Sequence, residues 1–116
     1  MNKRNVGNDK EDIVSIFLEK NNIKILDRNF YTDHGELDIV GTDGEYLVFF
    51  EVKYKKNKGY GNPFEMVTYS KRRRIVNASR VYLYKNHYPE NTFIRYDVVG
   101  VLDGEITWIK QAFDAF

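Results

Sequence analysis

A mixed β-sheet flanked by helices is the fold that this 116-residue sequence predicts, and three observations predict it. Two segments carry apolar residues at helical spacing. Five short runs rich in β-branched and aromatic residues read as strands. Their order, α-β-β-β-α-β-β, suits an α/β arrangement with helices packed on one sheet. The length is that of one domain, 1–116, and 42% hydrophobic residues, 16% of the chain being aromatic, suffice for a core.

In chain order, Asn8 or Asp9 can cap a helix running to about Asn21, with acids in the first turn where the helix dipole favours them. Ile13, Val14, Ile16, Phe17 and Leu18 form its apolar stripe. "IKIL" reads as a short strand with Phe30 and Tyr31 near its end, followed by "GELDIV" and "EYLVFFEVKY". Asp43-Gly44 between the last two is a strong hairpin signal. "KKNKGYGNPFE" is a loop, and Ser70 can cap a second helix over roughly Lys71 to Asn86. "TFIRYDVVGVL" and "EITWIK" complete the sheet around an Asp103-Gly104 turn.

No run is long enough to cross a bilayer, and the polar start "MNKRNVGNDKED" lacks the apolar stretch of a secretory leader. The absence of cysteine excludes a disulfide framework and a thiolate metal site, so a cytoplasmic location without membrane association is expected. The net charge of +1 conceals a segregated field. Ten Lys or Arg and a single acid, Glu65, lie between Lys53 and Lys85, leaving eight basic residues against sixteen acids elsewhere. A charge run alone fits a solvated helix, but an interval this lopsided also suits a polyanionic partner such as nucleic acid.

"YLVFFEVKY" raises the chemical question. It has the composition of a strand buried on both faces, yet it carries Glu51 and Lys53 near its end. With a two-residue turn at Asp43-Gly44, Asp38 falls opposite Phe49 and Glu36 opposite Glu51. Alternation then puts Glu36, Asp38, Glu51 and Lys53 on one face, and Leu37, Ile39, Val48, Phe50 and Val52 on the other. Glu51 and Lys53 alone also fit a salt-bridged rim. Three carboxylates on one face repel one another, however, and a divalent cation relieves that repulsion. Oxygen ligands without cysteine or a histidine pair suit Mg²⁺ or Mn²⁺ better than zinc. His34 and His87 are expected at a turn and a helix end.

Such a site suits phosphodiester hydrolysis. Asp38 and Glu51, with the Val52 carbonyl, would hold the cation, and Lys53 would orient water or stabilise developing charge. Glu11 sits at the edge of the first helix's apolar stripe; its spacing alone is accounted for by first-turn dipole complementarity.

"GELD", twelve residues and "EVK" resemble the D…(D/E)xK signature of restriction-endonuclease-like nucleases, whose αβββαβ core has the same order. Gly7, Glu11, Leu18, Asn29, "GELDIV", "FFEVK", "YGNPFEMV", Lys71, "RYDVVGV" and "QAF" together resemble the YraN-like family of small bacterial predicted endonucleases, related to archaeal Holliday-junction resolvases. The resemblance implies a triad of Asp38, Glu51 and Lys53, places Glu11 and Glu36 in or beside the site, and matches Lys71 to a basic family position. Tyr54 and Lys55 replace the threonine and arginine usual after "EVK", and Lys for Arg changes a bidentate phosphate contact into a point charge.

The expected activity is therefore Mg²⁺- or Mn²⁺-dependent cleavage of DNA, including branched DNA. The alternative is a non-catalytic nucleic-acid-binding module that keeps the fold. Phosphate contacts are expected from Lys55, Lys56, Lys58 and Lys71, Arg72, Arg73 and Arg74, about half of the helical four touching the backbone because consecutive helical residues fan around the axis. A two-fold homodimer would double the binding surface and pair two sites; Tyr60, Phe64 and Tyr69 are candidates for its interface.

Overall fold

The computed structural model describes residues 9–55 and 67–115, with side chains from 11 to 54 and from 67 to 115. Seven elements follow in the expected order: α1 (Asp9–Lys20), β1 (Lys24–Thr32), β2 (Gly35–Asp43), β3 (Tyr46–Lys55), α2 (Tyr69–Lys85), β4 (Ile94–Leu102) and β5 (Glu105–Phe113). The five strands form one sheet in sequence order. It is antiparallel except for β3 and β4, which run parallel on either side of α2 in the chain. This is the mixed sheet of the restriction-endonuclease-like core, extended at one edge by β5.

One helix covers each face. Val14 and Leu18 of α1 pack with Ile39, Val48, Phe50, Val99 and Val101. Ile75, Val76, Ala78 and Tyr82 of α2 pack with Val40, Leu47, Phe49, Tyr96 and Val98. Neighbouring residues of β3 thus enter different cores, which is why "YLVFF" shows no apolar–polar alternation. Each large side chain removed from water contributes roughly 1.5–3 kcal/mol before conformational entropy is subtracted. Polar pins register α2 on its face: Ser79 Oγ and the Tyr96 hydroxyl are 2.7 Å apart, and the Tyr82 hydroxyl donates to Asp27 at 2.9 Å.

Helix ends differ in detail from expectation. Asp9 is the first described residue of α1, and Asn8 lies outside the described residues. α1 ends where Asn22 adopts φ 70° and the Ile23 amide turns back to the Leu18 carbonyl at 3.0 Å, the αL stop that Asn tolerates. α2 begins earlier than predicted. Its cap is Thr68, not Ser70, and Thr68 Oγ accepts the Lys71 amide at 3.2 Å. Both hydroxyls suit a cap, and Ser70 already lies within the helix.

The β2–β3 hairpin corrects the predicted register by two residues. Asp43 pairs with Tyr46 and Thr42 with Leu47, so Gly44 and Glu45 form the turn. Gly44 supplies its positive φ of 60°. The loop stays two residues long, so the parity that puts Asp38 and Glu51 on one face survives. Gly41 has a separate reason to be glycine: at the β1 bulge, an added Cβ would lie 2.8 Å from the Lys24 carbonyl oxygen.

Candidate functional site

The paired ladder between β2 and β3 ends at Ile39 and Phe50, and one step further the facing residues are Asp38 and Glu51. Here the carboxylate takes over from the backbone. The Val52 amide, on the next rung, donates to Asp38 Oδ2 at 2.9 Å. Asp38 is thereby fixed between the two strands, aimed at the ends that carry Glu51 and Lys53.

Strict alternation fails at the same point. It predicts Leu37 on the face of Ile39, but Leu37 packs in the α2-side core with Val40. β1 shows the same turn: Arg28 reaches Asp12 of α1 at 2.7 Å, while Phe30 meets Tyr82 of α2. Asn29 lies between them, opposite Asp38 in the β1–β2 register, with φ 55°. A left-handed residue rotates the remainder of its strand, and β2 turns with its partner.

That rotation lets the Asn29 amide reach two acids. It donates to Glu11 Oε1 at 2.9 Å and to Glu36 Oε2 at 2.8 Å, joining α1 to the start of β2. Glu11, Glu36, Asp38 and Glu51 are consequently neighbours, with Arg28 also 3.9 Å from Glu11. Asn29 carried a family resemblance in the sequence but no role. The readable signal was Asn itself in an otherwise apolar and charged strand, since Asn tolerates αL and offers two donors.

The electrostatics are unbalanced. Glu51 is 4% exposed, and its Oε2 faces two ammonium groups, Lys71 at 3.3 Å and Lys53 at 3.5 Å. Among the described residues, the donor to Asp38 is the Val52 amide. Burial, then the charge of Glu51, pushes its carboxyl up to about 8, with Glu11 and Glu36 adding to the rise. Tyr54, beside this cluster, is pushed up to about 12 by burial and then by Glu11, Asp38 and Asp12. Tyr31, an exposed residue, is raised chiefly by the charge of Glu36.

A cavity of about 80 Å³ lies against the acids, lined by Gly35, Glu36, Asp38, Lys71, Arg74 and Ile75. Arg74 is also part of a wider groove with Tyr69, Ser70, Arg73 and Asn77, so the two hollows share a wall. Of the four consecutive cations, Lys71 and Arg74 thus face the acids and Arg73 faces the groove. Arg72 turns away, among Val67, Val98, Ile109, Ala112 and Phe113. The Lys55 side chain, Lys56, Lys58, Tyr60 and Phe64 lie outside the described residues. His34 sits in the β1–β2 turn and His87 just past α2, as expected.

Among the described residues, no three His, Cys, Asp or Glu side chains cluster tightly enough to hold an ion by themselves. A cation placed here would meet at most the two carboxylates of Asp38 and Glu51 and the carbonyl of neighbouring Val52. That is the sparse donor set Mg²⁺ accepts, since it keeps waters and takes substrate oxygens for its other positions.

A three-layer α/β fold with an acidic centre where two strands separate, beside a basic helix, defines the class. Comparison with known proteins gives the family: residues 10–101 match "Uncharacterised protein family UPF0102", and the chain belongs to it. This is the YraN-like family that the residue pattern resembles. A UPF0102 protein of Lachnoclostridium phytofermentans is 46% identical over 116 residues, covering 100% of this chain and 98% of its own. The one from Clostridium perfringens is 40% identical, covering 95% and 94%, and that from Vibrio campbellii 38%, covering 95% and 93%. No helix among the described residues is long and apolar enough to cross a membrane.

Proposed function

We propose that this protein is a nuclease that hydrolyses phosphodiester bonds of DNA with Mg²⁺ or Mn²⁺. One observation carries the reading. Asp38 and Glu51 come together at the parting of β2 and β3, with Asp38 held by the Val52 amide and Lys53 3.5 Å from Glu51. A buried fold has no structural need for adjacent carboxylates, one of which is driven up to about 8 by burial and by the other.

Asp38 and Glu51, with the Val52 carbonyl, would hold the cation, which supplies activation of the attacking water and neutralisation of phosphoryl charge. The chain's own groups do the rest. The Val52 amide orients Asp38. Lys53 places an ammonium beside the reacting phosphate, where it stabilises charge that grows in the transition state. Asn29 holds Glu11 and Glu36 beside Asp38, where their carboxylates can accept hydrogen bonds from water. Arg73 and Arg74 offer phosphate contacts along the groove, and α2 presents its N-terminal end with no acid in the first turn. A two-fold dimer would set two such sites on one branched substrate.

The test is cleavage of linear, flapped and four-way DNA with Mg²⁺, Mn²⁺ or EDTA, beside Asp38→Ala. Metal-dependent cutting lost in the variant supports the nuclease. Tight DNA binding without cutting in any condition would instead select the non-catalytic binding module.

A further inference from the structure

Lys71 occupies a position that a helix does not favour. It lies in the first turn of α2, its amide already bonded to the Thr68 cap, and no acidic residue shares that turn. Four cations from Lys71 to Arg74 crowd the positive end of the dipole, where each is unfavourable unless an anion faces it. For Lys71 the anion is within the chain: Glu51 Oε2, 3.3 Å away across the boundary between helix and sheet. The same oxygen faces Lys53 at 3.5 Å. Lys71 is half-exposed, Glu51 is buried, and Lys71 lines the cavity that also contains Asp38.

We propose that Lys71 is a tethered counter-ion that competes with the divalent cation for Glu51. In the metal-free protein its ammonium neutralises the buried carboxylate. When a cation takes that oxygen, Lys71 is released towards the cavity and is free to pair with a substrate phosphate. The proposal rests on Asp38 and Glu51 being the cation's ligands. Lys53 does not share the role: it is attached two residues along the same strand, whereas Lys71 comes from another element and lines the cavity together with Asp38. The consequence is that metal and substrate loading are linked. Metal frees a phosphate ligand, and phosphate, by holding Lys71, vacates a metal ligand, so each strengthens the other.

Calorimetric titration of Mn²⁺ alone into the full chain tests this with no cleavage readout. Lys71→Met should bind Mn²⁺ about three- to tenfold more tightly than the unaltered protein, the range expected for removing one partly exposed ion pair. Lys71→Arg, which keeps the charge, should restore the original affinity. Arg74→Met removes a charge from the same cavity wall without that ion pair and should gain less than about twofold. Unchanged or weaker binding by Lys71→Met, or an equal gain by Arg74→Met, overturns the competition while leaving the metal site intact. No Mn²⁺ binding by any of the four proteins removes the metal site itself, and the proposal with it.

Discussion

Two buried carboxylate clusters lie on this sheet, and they are solved in opposite ways. Asp97 on β4 is fully buried, and its two oxygens accept from Arg95 Nε and a terminal Arg95 nitrogen at 2.9 Å, Trp108 Nε1 at 2.8 Å and the Gln111 amide at 2.9 Å. Arg95 also reaches Asp43 at 2.8 Å. Both Asp97 oxygens are fully provided with donors, and Arg95 together with Lys110, 3.6 Å from Asp43, balances the two acids. Asp38, among the described residues, receives the Val52 amide and has Glu51 beside it. A saturated buried charge ties strands together; an unsaturated one retains affinity for something outside the chain.

Removing each carboxylate should separate the two. Asp97→Ala removes the buried acceptor shared by Arg95, Trp108 and Gln111, and the expected loss is about 3–5 kcal/mol in denaturant unfolding. Asp38→Asn should leave stability unchanged or raised while cleavage falls more than about a hundredfold. Comparable destabilisation by the two variants would erase the distinction.

Lys53→Ala should lower cleavage by about a hundredfold or more. Its side chain is only 21% exposed but fills no core position, so the stability cost should stay near 1 kcal/mol. A folded variant that cuts normally would take Lys53 out of the chemistry.

pH should act on the clusters with opposite sign. In metal-free protein, Asp38 is raised from 3.8 to about 8 by burial and then by Glu51. Its protonated form favours folding, a contribution fully present below 3.8 and lost as pH rises through about 8. Asp43 is lowered, chiefly by its hydrogen bond to Arg95, so its contribution is present above its unfolded value and lost as pH falls. In EDTA, the melting temperature of Asp38→Asn relative to the unaltered protein should therefore rise with pH across that window. The deficit of Asp43→Asn should shrink towards acid. Parallel curves would contradict the assignment.

Asn29→Gly keeps access to φ 55° but loses both side-chain bonds. Cleavage should fall about ten- to a hundredfold, as for a lost orienting contact. The smallest effect expected is for Arg73→Ala. It should reduce the salt dependence of DNA binding by about one unit of slope, leaving low-salt cleavage unaffected.

The pairing of acids was readable because strand periodicity is two, so a hairpin shifted by a whole rung still puts Asp38 and Glu51 together. The register was not readable, since Gly44 can serve in a turn at either 43–44 or 44–45. The rotation at Asn29 and Leu37 was hidden for a different reason: no proline or glycine marks it, and it depends on the β1 backbone and on Asp38 capturing a β3 amide. The Lys71–Glu51 contact joins residues from separate elements, which local patterns do not report. Most instructive is Asp97. "RYD" places two charges two residues apart in an apolar strand, the same signal as "EVK", yet only "EVK" has a hairpin partner that supplies further acids. The fate of Asp97 is decided by Trp108 and Gln111, whose donors arrive from β5 through a bulge that the sequence does not announce.

The most direct measurement is an anomalous difference map from crystals grown with Mn²⁺. A single strong peak between the Asp38 and Glu51 carboxylates, with none at Asp97, is the predicted result. Mn²⁺ bound elsewhere, with Lys71 still paired to Glu51 and no density between the two acids, would contradict it.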